Sequence, residues 1–150
     1  MKKFCVPMLL TVLVFLISGM ASNGSSHPAA HNKVRAALDV MVNAYNSKNI
    51  SGFMDQVSEN YTGEKRILDS KIRAGFSRIH DLDLRYSINN ITQESEGRFV
   101  YVAVNYTKSY TDIKTTKRLT KTGTSELIFE MIQGRALLHS IRGSNMFGSN

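Results

Sequence analysis

The stretch from Phe99 to Tyr110 is apolar over its first six residues and mixed over the rest, and it contains neither Gly nor Pro. Its β-branched and aromatic composition is typical of a β-strand. Because successive side chains of a strand point to opposite faces, one face is apolar throughout and the other is mixed. The apolar face carries Val100, Val102, Val104 and Tyr106, and the mixed face carries Phe99, Tyr101, Ala103 and Asn105. We therefore predict the central strand of a curved sheet, with one face on a core and the other facing a partner.

The same two-residue period recurs before and after this stretch. It predicts further strands over residues 82–89, 119–132 and 136–141. Turn residues separate the strands at 94–97, 111–116 and 133–134. Since consecutive strands are joined by short turns, the second half of the chain is predicted to be an antiparallel meander.

Upstream of residue 82 the apolar residues follow a helical spacing. A first helix is predicted over residues 33–46, and a short second helix begins after Asn49, a favourable N-cap residue. A third helix carries its apolar stripe on Leu68, Ile72, Phe76 and Ile79. Helices followed by an antiparallel meander predict an α+β fold, with the three helices packed on one face of the sheet.

The N-terminal residues have the pattern of a secretory signal peptide. Lys2 and Lys3 precede an apolar run, and the small residues Gly19 and Ala21 suit a cleavage site. We expect cleavage after Ala21 and a secreted or periplasmic protein. A retained membrane anchor is the alternative, disfavoured because the run is shorter than the roughly 20 residues that span a bilayer. The predicted organisation is a signal peptide over residues 1–21, a flexible linker over 22–32 and one domain over 33–148.

Cysteine and charge narrow the possible stabilising features and partners. The one cysteine, Cys5, lies in the predicted leader, so no disulfide is expected in the mature chain. The 19 basic residues exceed the 12 acidic residues, which favours acidic partners or surfaces. Nucleic acid is not expected as a partner outside the cytoplasm, and no cofactor is expected. A metal site is not expected either, because His27 and His31 flank Pro28 and no third ligand is near.

Two blocks of the sequence resemble the nuclear transport factor 2-like superfamily, which includes the SnoaL-like polyketide cyclases, ketosteroid isomerase and scytalone dehydratase. The first block is residues 42–54, a helix, a small polar break and a second helix, with Asn49 where the family usually has Asp. The second block consists of residues 123–129, 133–138 and 143–148, with Ala136 at a position where Trp is common. The resemblance implies a cone-shaped fold, three helices on a strongly bent antiparallel sheet, in a secreted bacterial protein of unknown role. It implies no particular activity, because this scaffold hosts many.

Enzymes of this superfamily use an Asp or a His inside the cone for proton transfer, and a general base must reach the substrate from the pocket wall. The predicted inward strand residues, which are Val100, Val102, Val104, Tyr106, Ser125, Leu127 and Phe129, include no carboxylate and no His. Asp55, on the second helix, and His80, after the third, are the remaining catalytic candidates. We therefore expect a non-catalytic domain. The alternative is a cone-pocket lyase or isomerase that uses a general acid–base residue.

A ligand pocket is predicted inside the cone, lined by Tyr45, Tyr61, Tyr86, Tyr106 and Ala136. Apolar walls with a few hydroxyl groups suit a small, mostly apolar ligand, and Ala136 leaves room for it. In the alternative interpretation these side chains simply fill the cone, with each tyrosine hydroxyl satisfied at the rim.

The outer face of the sheet, away from the helices, is predicted to carry Phe99, Tyr101, Ile128, Leu137 and His139. Contiguous apolar patches usually mark interfaces, and members of the superfamily commonly pair sheet to sheet, so we expect a homodimer. The densest basic cluster is the hairpin over residues 108–121, with Lys108, Lys114, Lys117, Arg118 and Lys121. A solvated edge hairpin is the plain interpretation, and weak contact with an anionic surface is the alternative.

Overall fold

The computed structural model describes residues 26–148, and their side chains from residue 28 onward. The helices and strands are α1 (Ser26–Asn46), α2 (Ile50–Met54), α3 (Lys65–Phe76), β1 (Ile79–Gln93), β2 (Phe99–Asp112), β3 (Arg118–Ile132) and β4 (Arg135–Gly143). The predicted signal peptide over residues 1–21 and the first part of the predicted linker lie outside the described residues. The predicted order of three helices followed by four strands is confirmed.

The four strands form one antiparallel sheet in the order β1-β2-β3-β4. β2 lies in its interior, as predicted, and its residues Val100, Val102 and Val104 are fully buried. Register shifts interrupt the β1–β2 and β3–β4 ladders, and such bulges bend a sheet. β4 pairs with β3 only from Ser125 to Ile132. Residues 118–124 of β3 therefore have β2 on one side and no neighbouring strand on the other.

Helix α1 begins at Ser26, seven residues before the predicted start, so the predicted flexible linker is helical over residues 26–32. Pro28 is compatible with this start, because the N–H groups of the first turn have no partner within the helix. Ala30, in the same turn, is buried in the core. The early start thus lengthens the helical surface that covers the sheet.

The next two helices follow the predicted pattern, with one correction. Asn49 caps α2 by accepting a hydrogen bond from the backbone N–H of Gly52 at 3.0 Å. Helix α3 buries Leu68, Ile72 and Phe76. Ile79, predicted on the same stripe, instead begins β1 opposite Asp112, because α3 ends at Phe76.

The C-terminal residues after β4 return to the core. Met146 and Phe147 are fully buried between the helices and the sheet. The Phe147 ring lies 5.2 Å from that of Tyr45 and 4.8 Å from that of Phe53, centre to centre. These contacts close one end of the space between the layers with side chains of the chain itself. No helix within residues 26–148 is long and apolar enough to cross a membrane.

Candidate binding site at the mouth of the cone

Lys108 lies on the inner face of β2, in register with the buried valines. It is only 5% exposed, so it does not belong to a solvated basic hairpin as the sequence analysis predicted. The reason is the two-residue period, which continues from Tyr106 through Lys108 to Tyr110 and keeps all three side chains on the face toward the helices. A lysine is rarely buried without partners, and its partners identify the site.

The ammonium group of Lys108 donates hydrogen bonds to the carbonyl of Met146, at 3.2 Å, and to the carbonyl of Gly148. The hydroxyl of Tyr45 donates to the carbonyl of Phe147 at 3.1 Å. The carbonyls of Met146, Phe147 and Gly148 thus accept hydrogen bonds from Lys108 on β2 and Tyr45 on α1. An ammonium group has three N–H donors, so one donor of Lys108 is left over.

A partly enclosed cavity of about 130 Å³ lies beside this ammonium group. Its lining combines tyrosine rings, two cationic side chains and one carboxylate: Tyr45, Gly75, Arg78, Ile79, Lys108, Tyr110, Asp112 and Gly148. The Asp112 carboxylate already accepts hydrogen bonds from the backbone N–H of Thr115, at 2.7 Å, and from its hydroxyl, at 2.9 Å. The cavity therefore presents more uncommitted positive than negative charge.

Burial and a neighbouring cation both act on the amine in this cavity. Burial, followed by the positive charge of Lys121, lowers the pKa of Lys108 to about 8. Burial also raises the pKa of the Tyr45 hydroxyl, and the neighbouring Tyr110 and Tyr106 raise it further. At neutral pH the site therefore holds a charged ammonium group whose charge is poorly solvated, beside the neutral hydroxyl of Tyr45. A bound anion would compensate that charge.

The predicted pocket residues are only partly brought together. Tyr45 lines the cavity, and Tyr106 is buried close enough to influence its pKa. Tyr86 instead donates a hydrogen bond from its hydroxyl to Asp39 on α1. Tyr61 lies in the loop between α2 and α3, and Ala136 is buried in the core opposite Met131. None of these last three lines the cavity.

Neither predicted catalytic candidate faces the cavity. Asp55 is exposed at the C-terminal end of α2. His80 is exposed on β1, where its Nδ1 lies 2.6 Å from a carboxylate oxygen of Asp81. The charged groups at the mouth of the cone are Lys108, Arg78 and Asp112. Arg78 and Asp112 were not predicted as site residues, and Lys108 was predicted only as part of the basic hairpin.

The predicted interface residues do share the outer face of the sheet. Tyr101 pairs with Ile128 across β2 and β3, and Phe99 and Leu137 both pair with Glu130. The ring of His139 lies 5.0 Å from that of Phe99, centre to centre. Ile128 is already buried within the single chain, whereas the other four remain partly exposed.

A larger groove, of about 520 Å³, lies at the middle of β1, β2 and β3. It is open and lined mostly by exposed polar residues, among them Arg85, Asn105, Thr107, Thr122 and Thr124. Small-molecule sites usually enclose most of the ligand surface. The smaller cavity at Lys108 is for that reason the better candidate. Within residues 28–148, no three His, Cys, Asp or Glu side chains come together as metal ligands.

Comparison with known proteins supports the architecture. No protein-family model matches the sequence, and no curated protein matches it. A conserved protein from Planctomyces limnophilus has a similar structure, with a TM-score of 0.68 and 11% identity over 76% of this chain and 94% of that one. A ketosteroid isomerase-like protein from Erwinia carotovora gives a TM-score of 0.64, with 13% identity over 73% and 91%. An NTF-2 like protein of unknown function from Shewanella oneidensis gives 0.57, with 14% identity over 74% and 95%. At these identities the likeness shows the fold alone.

Proposed function

We propose, from the premise that this chain has the nuclear transport factor 2-like cone fold, that it is a non-catalytic binding domain for a small anionic ligand. The ligand would bind at the mouth of the cone, between Lys108 and Arg78. Secretion or periplasmic location is part of the proposal and rests on the signal-peptide pattern of residues 1–21. The single observation that carries the proposed function is the buried ammonium group of Lys108 beside a cavity.

The size of the cavity limits the ligand. A cavity of about 150 Å³ holds a molecule of benzene, so about 130 Å³ suits a ligand of five or six non-hydrogen atoms. The apolar ligand expected from the sequence would need the space deeper in the cone. That space is packed with Tyr45, Phe53 and Phe147, all buried. A short carboxylate, with its acid group on Lys108 and its short chain against Tyr45 and Ile79, satisfies both the charge and the volume.

Binding of such an anion depends on pH in a defined direction. The anion favours the charged form of Lys108, whose pKa in the free protein is about 8. Affinity is therefore near its maximum when the pH is about one unit or more below 8, and it falls as the pH rises through 8 and the amine loses its proton.

Calorimetric or NMR titration with butyrate at pH 6.5, with butyramide as the neutral control of the same size, tests this proposal. We expect butyrate to bind with a Kd on the order of millimolar, as suits so small a ligand, and butyramide to bind at least tenfold more weakly. Lys108→Met and Arg78→Gln should each weaken butyrate binding, while Lys71→Met, an exposed lysine of α3, should not. Equal binding of the acid and the amide, or butyrate binding unaffected by Arg78→Gln in the folded protein, would contradict the proposal.

A homodimer is the second part of the proposal. Partly exposed Phe99 and Tyr101 of β2 and Leu137 and His139 of β4 lie on the outer face of the sheet, on either side of β3. A two-fold axis through such a patch would place the same residues of two copies against one another. Burial of this patch would remove partly exposed apolar side chains from water.

A cone-pocket lyase or isomerase is the alternative function, and the position of the Lys108 amine in the lining of the cavity supports it. An amine with a pKa of about 8 can act as a general base near neutral pH. In that case Lys108, rather than Asp55 or His80, would carry the proton transfer. Turnover that is lost in Lys108→Met and retained in an Asp55→Asn/His80→Asn double variant would identify this function.

A further inference from the structure

We propose that the tip of the β2–β3 hairpin, residues 112–121, binds the surface of an anionic lipid bilayer. The side chains that carry this proposal, from Ile113 to Lys121, lie outside the lining of the ligand cavity, whereas Arg78 and Asp112 belong to both places. The proposal rests on exposed aliphatic side chains, on cationic side chains beside them, and on the rigid projection of the tip from the sheet.

Two large aliphatic side chains of the tip are exposed to water. Ile113 is 50% exposed and Leu119 is 40% exposed. Of the four large hydrophobic residues with such exposure among the described residues, these two lie on the hairpin, and Val40 and Ile67 lie on helices. Exposed aliphatic side chains at a protruding turn can enter the boundary between lipid headgroups and acyl chains.

Cationic side chains lie next to the two aliphatic residues along the chain. Lys114, Lys117 and Arg118 are exposed, and Lys121 is partly exposed. Arg78 is brought beside them, because its backbone carbonyl accepts a hydrogen bond from the N–H of Ile113 at 2.9 Å. Basic residues next to inserted aliphatic side chains are the chemistry that anionic headgroups recognise.

The one carboxylate of the tip does not cancel this charge. Asp112 is occupied within the turn, where it accepts hydrogen bonds from the backbone N–H and the hydroxyl of Thr115. Those bonds, with the backbone bond first, lower the pKa of Asp112. The four cations from Lys114 to Lys121 thus oppose one carboxylate within the tip, which already has partners, and the carboxylate of Asp81 on β1, which is close enough to Arg118 for the two charges to attract.

The tip is ordered before it meets a surface. The backbone N–H of Asp112 donates to the carbonyl of Lys117 at 2.9 Å, and the N–H of Thr116 donates to the carbonyl of Asp112 at 2.8 Å. β4 ends its pairing at Ser125 of β3, and β1 begins opposite Asp112 of β2. Residues 113–117 therefore project beyond the paired strands, and a preformed tip loses little conformational freedom on binding.

An acidic protein is the other occupant that such charges could attract. The exposed aliphatic residues of the tip are two separate side chains, without an exposed aromatic side chain among residues 112–121. Protein-binding hot spots are enriched in Trp, Tyr and Arg in packed pockets. Isolated aliphatic residues among lysines fit a headgroup layer better.

Sedimentation with vesicles tests the proposal. We expect the protein to bind vesicles of 70% phosphatidylcholine and 30% phosphatidylglycerol at 50 mM salt, and to bind pure phosphatidylcholine at least tenfold more weakly. Each lysine near an anionic surface strengthens binding about fivefold. The double variant Lys114→Gln/Lys117→Gln should therefore bind the anionic vesicles about 25-fold more weakly. The matched control Arg66→Gln/Lys71→Gln removes two exposed charges of α3 and should lose less than threefold if the hairpin makes the contact.

The aliphatic part of the contact needs its own pair of variants. Ile113→Ser/Leu119→Ser should weaken binding at least fivefold, and Val40→Ser/Ile67→Ser, with similar exposure, should not. Absence of binding to the anionic vesicles would overturn the proposal, as would equal losses in the hairpin and the control variants. Hairpin-dependent capture by immobilised polyglutamate without vesicle binding would also overturn it, and would assign the surface to an acidic protein.

Discussion

Glu130 is a buried carboxylate on the outer face of the sheet, and its hydrogen-bond donors come from two other parts of the chain. Its side chain is only 3% exposed. It accepts hydrogen bonds from the hydroxyl of Ser58 at 2.9 Å, from the amide of Asn60 at 3.3 Å and from the guanidinium of Arg98 at 2.9 Å. These hydrogen bonds join the loop after α2 to the end of the sheet at which β2 begins and β3 ends. A buried charge with this many donors stabilises the fold as long as it stays ionised.

Replacing Glu130 by Gln should therefore lower the free energy of unfolding in a pH-dependent way. Burial raises the pKa of Glu130, but the hydrogen bonds from Arg98, Ser58 and Asn60 outweigh it and hold the pKa below its ordinary value. A carboxylate with a lowered pKa stabilises the folded state above its ordinary pKa, and this stabilisation is lost as the pH falls. We expect a loss of about 1.5–3 kcal/mol at pH 7 and a smaller loss at pH 3.

Urea unfolding of both proteins at the two pH values measures this difference. Glu126→Gln is the matched control, because Glu126 lies on the same face with a partly exposed side chain 3.5 Å from Arg142. Its cost should stay under about 1 kcal/mol. Equal losses at pH 7 and pH 3 for Glu130→Gln would mean that the charge of Glu130 is not what stabilises the fold.

At the scale of elements, the C-terminal segment 144–148 completes the core. Its two apolar residues, Met146 and Phe147, are fully buried. The segment is held by Lys108 and Tyr45 at its carbonyls and by the hydroxyl of Ser125, which donates to the carbonyl of Ser144. The C-terminal segment 144–148 thus fills the end of the cone with Met146 and Phe147, although its other residues are polar or glycine.

Phe147→Ala should cost about 3–5 kcal/mol in the free energy of unfolding, because it opens a cavity among Tyr45 and Phe53. Phe147→Leu keeps most of the volume and should cost less than about 1.5 kcal/mol. The free energies of unfolding of both variants, measured with denaturant, show whether the segment 144–148 is packed in the core or only loosely attached. A loose tail would give losses under about 0.5 kcal/mol for both.

Helices and strands could be predicted from the sequence where the spacing of apolar side chains determines which face is buried. The alternation from Val100 to Val104 located the buried face of β2, and Asn49 located the start of α2. The start of α1 was not predicted, because the Ser, Asn, Gly and Ala content of residues 22–32, with one Pro, indicated a flexible linker, and a proline is compatible with a helix only in its first turn. Lys108 was misplaced because its residue type was weighed above its position in the alternation. The position was the correct signal, with Tyr106 and Tyr110 on either side of it.

At the scale of the whole molecule, the order of helices and strands was enough to predict the fold, but the candidate site was not predicted. The cavity at Lys108 requires Arg78 from the end of α3, Tyr45 from α1 and Gly148 from the C-terminal segment. These residues are far apart in the sequence and share no motif. Only the three-dimensional packing shows that Phe147 fills the cone and leaves space beside the ammonium group.

The assembly of two copies can be tested on the outer face. Tyr101→Lys and Leu137→Lys introduce like charges at positions that a two-fold axis would bring together, so each should convert a dimer to a monomer in sedimentation equilibrium. Thr107→Lys adds the same charge to an exposed position further along β2 and should leave the dimer intact. A dimer that persists in both Tyr101→Lys and Leu137→Lys would rule out this face as the interface.

The proposed function depends most on Lys108 facing into the cone beside an anion-binding cavity. A pH titration followed by NMR of ¹³C-labelled lysine side chains measures this directly, with the Lys108 signal assigned from its absence in Lys108→Met. We predict that Lys108 titrates near pH 8, well below the ordinary lysine value of about 10.4, and that saturating butyrate moves its pKa upward. A Lys108 signal that titrates together with the exposed lysines and does not respond to butyrate would contradict the account.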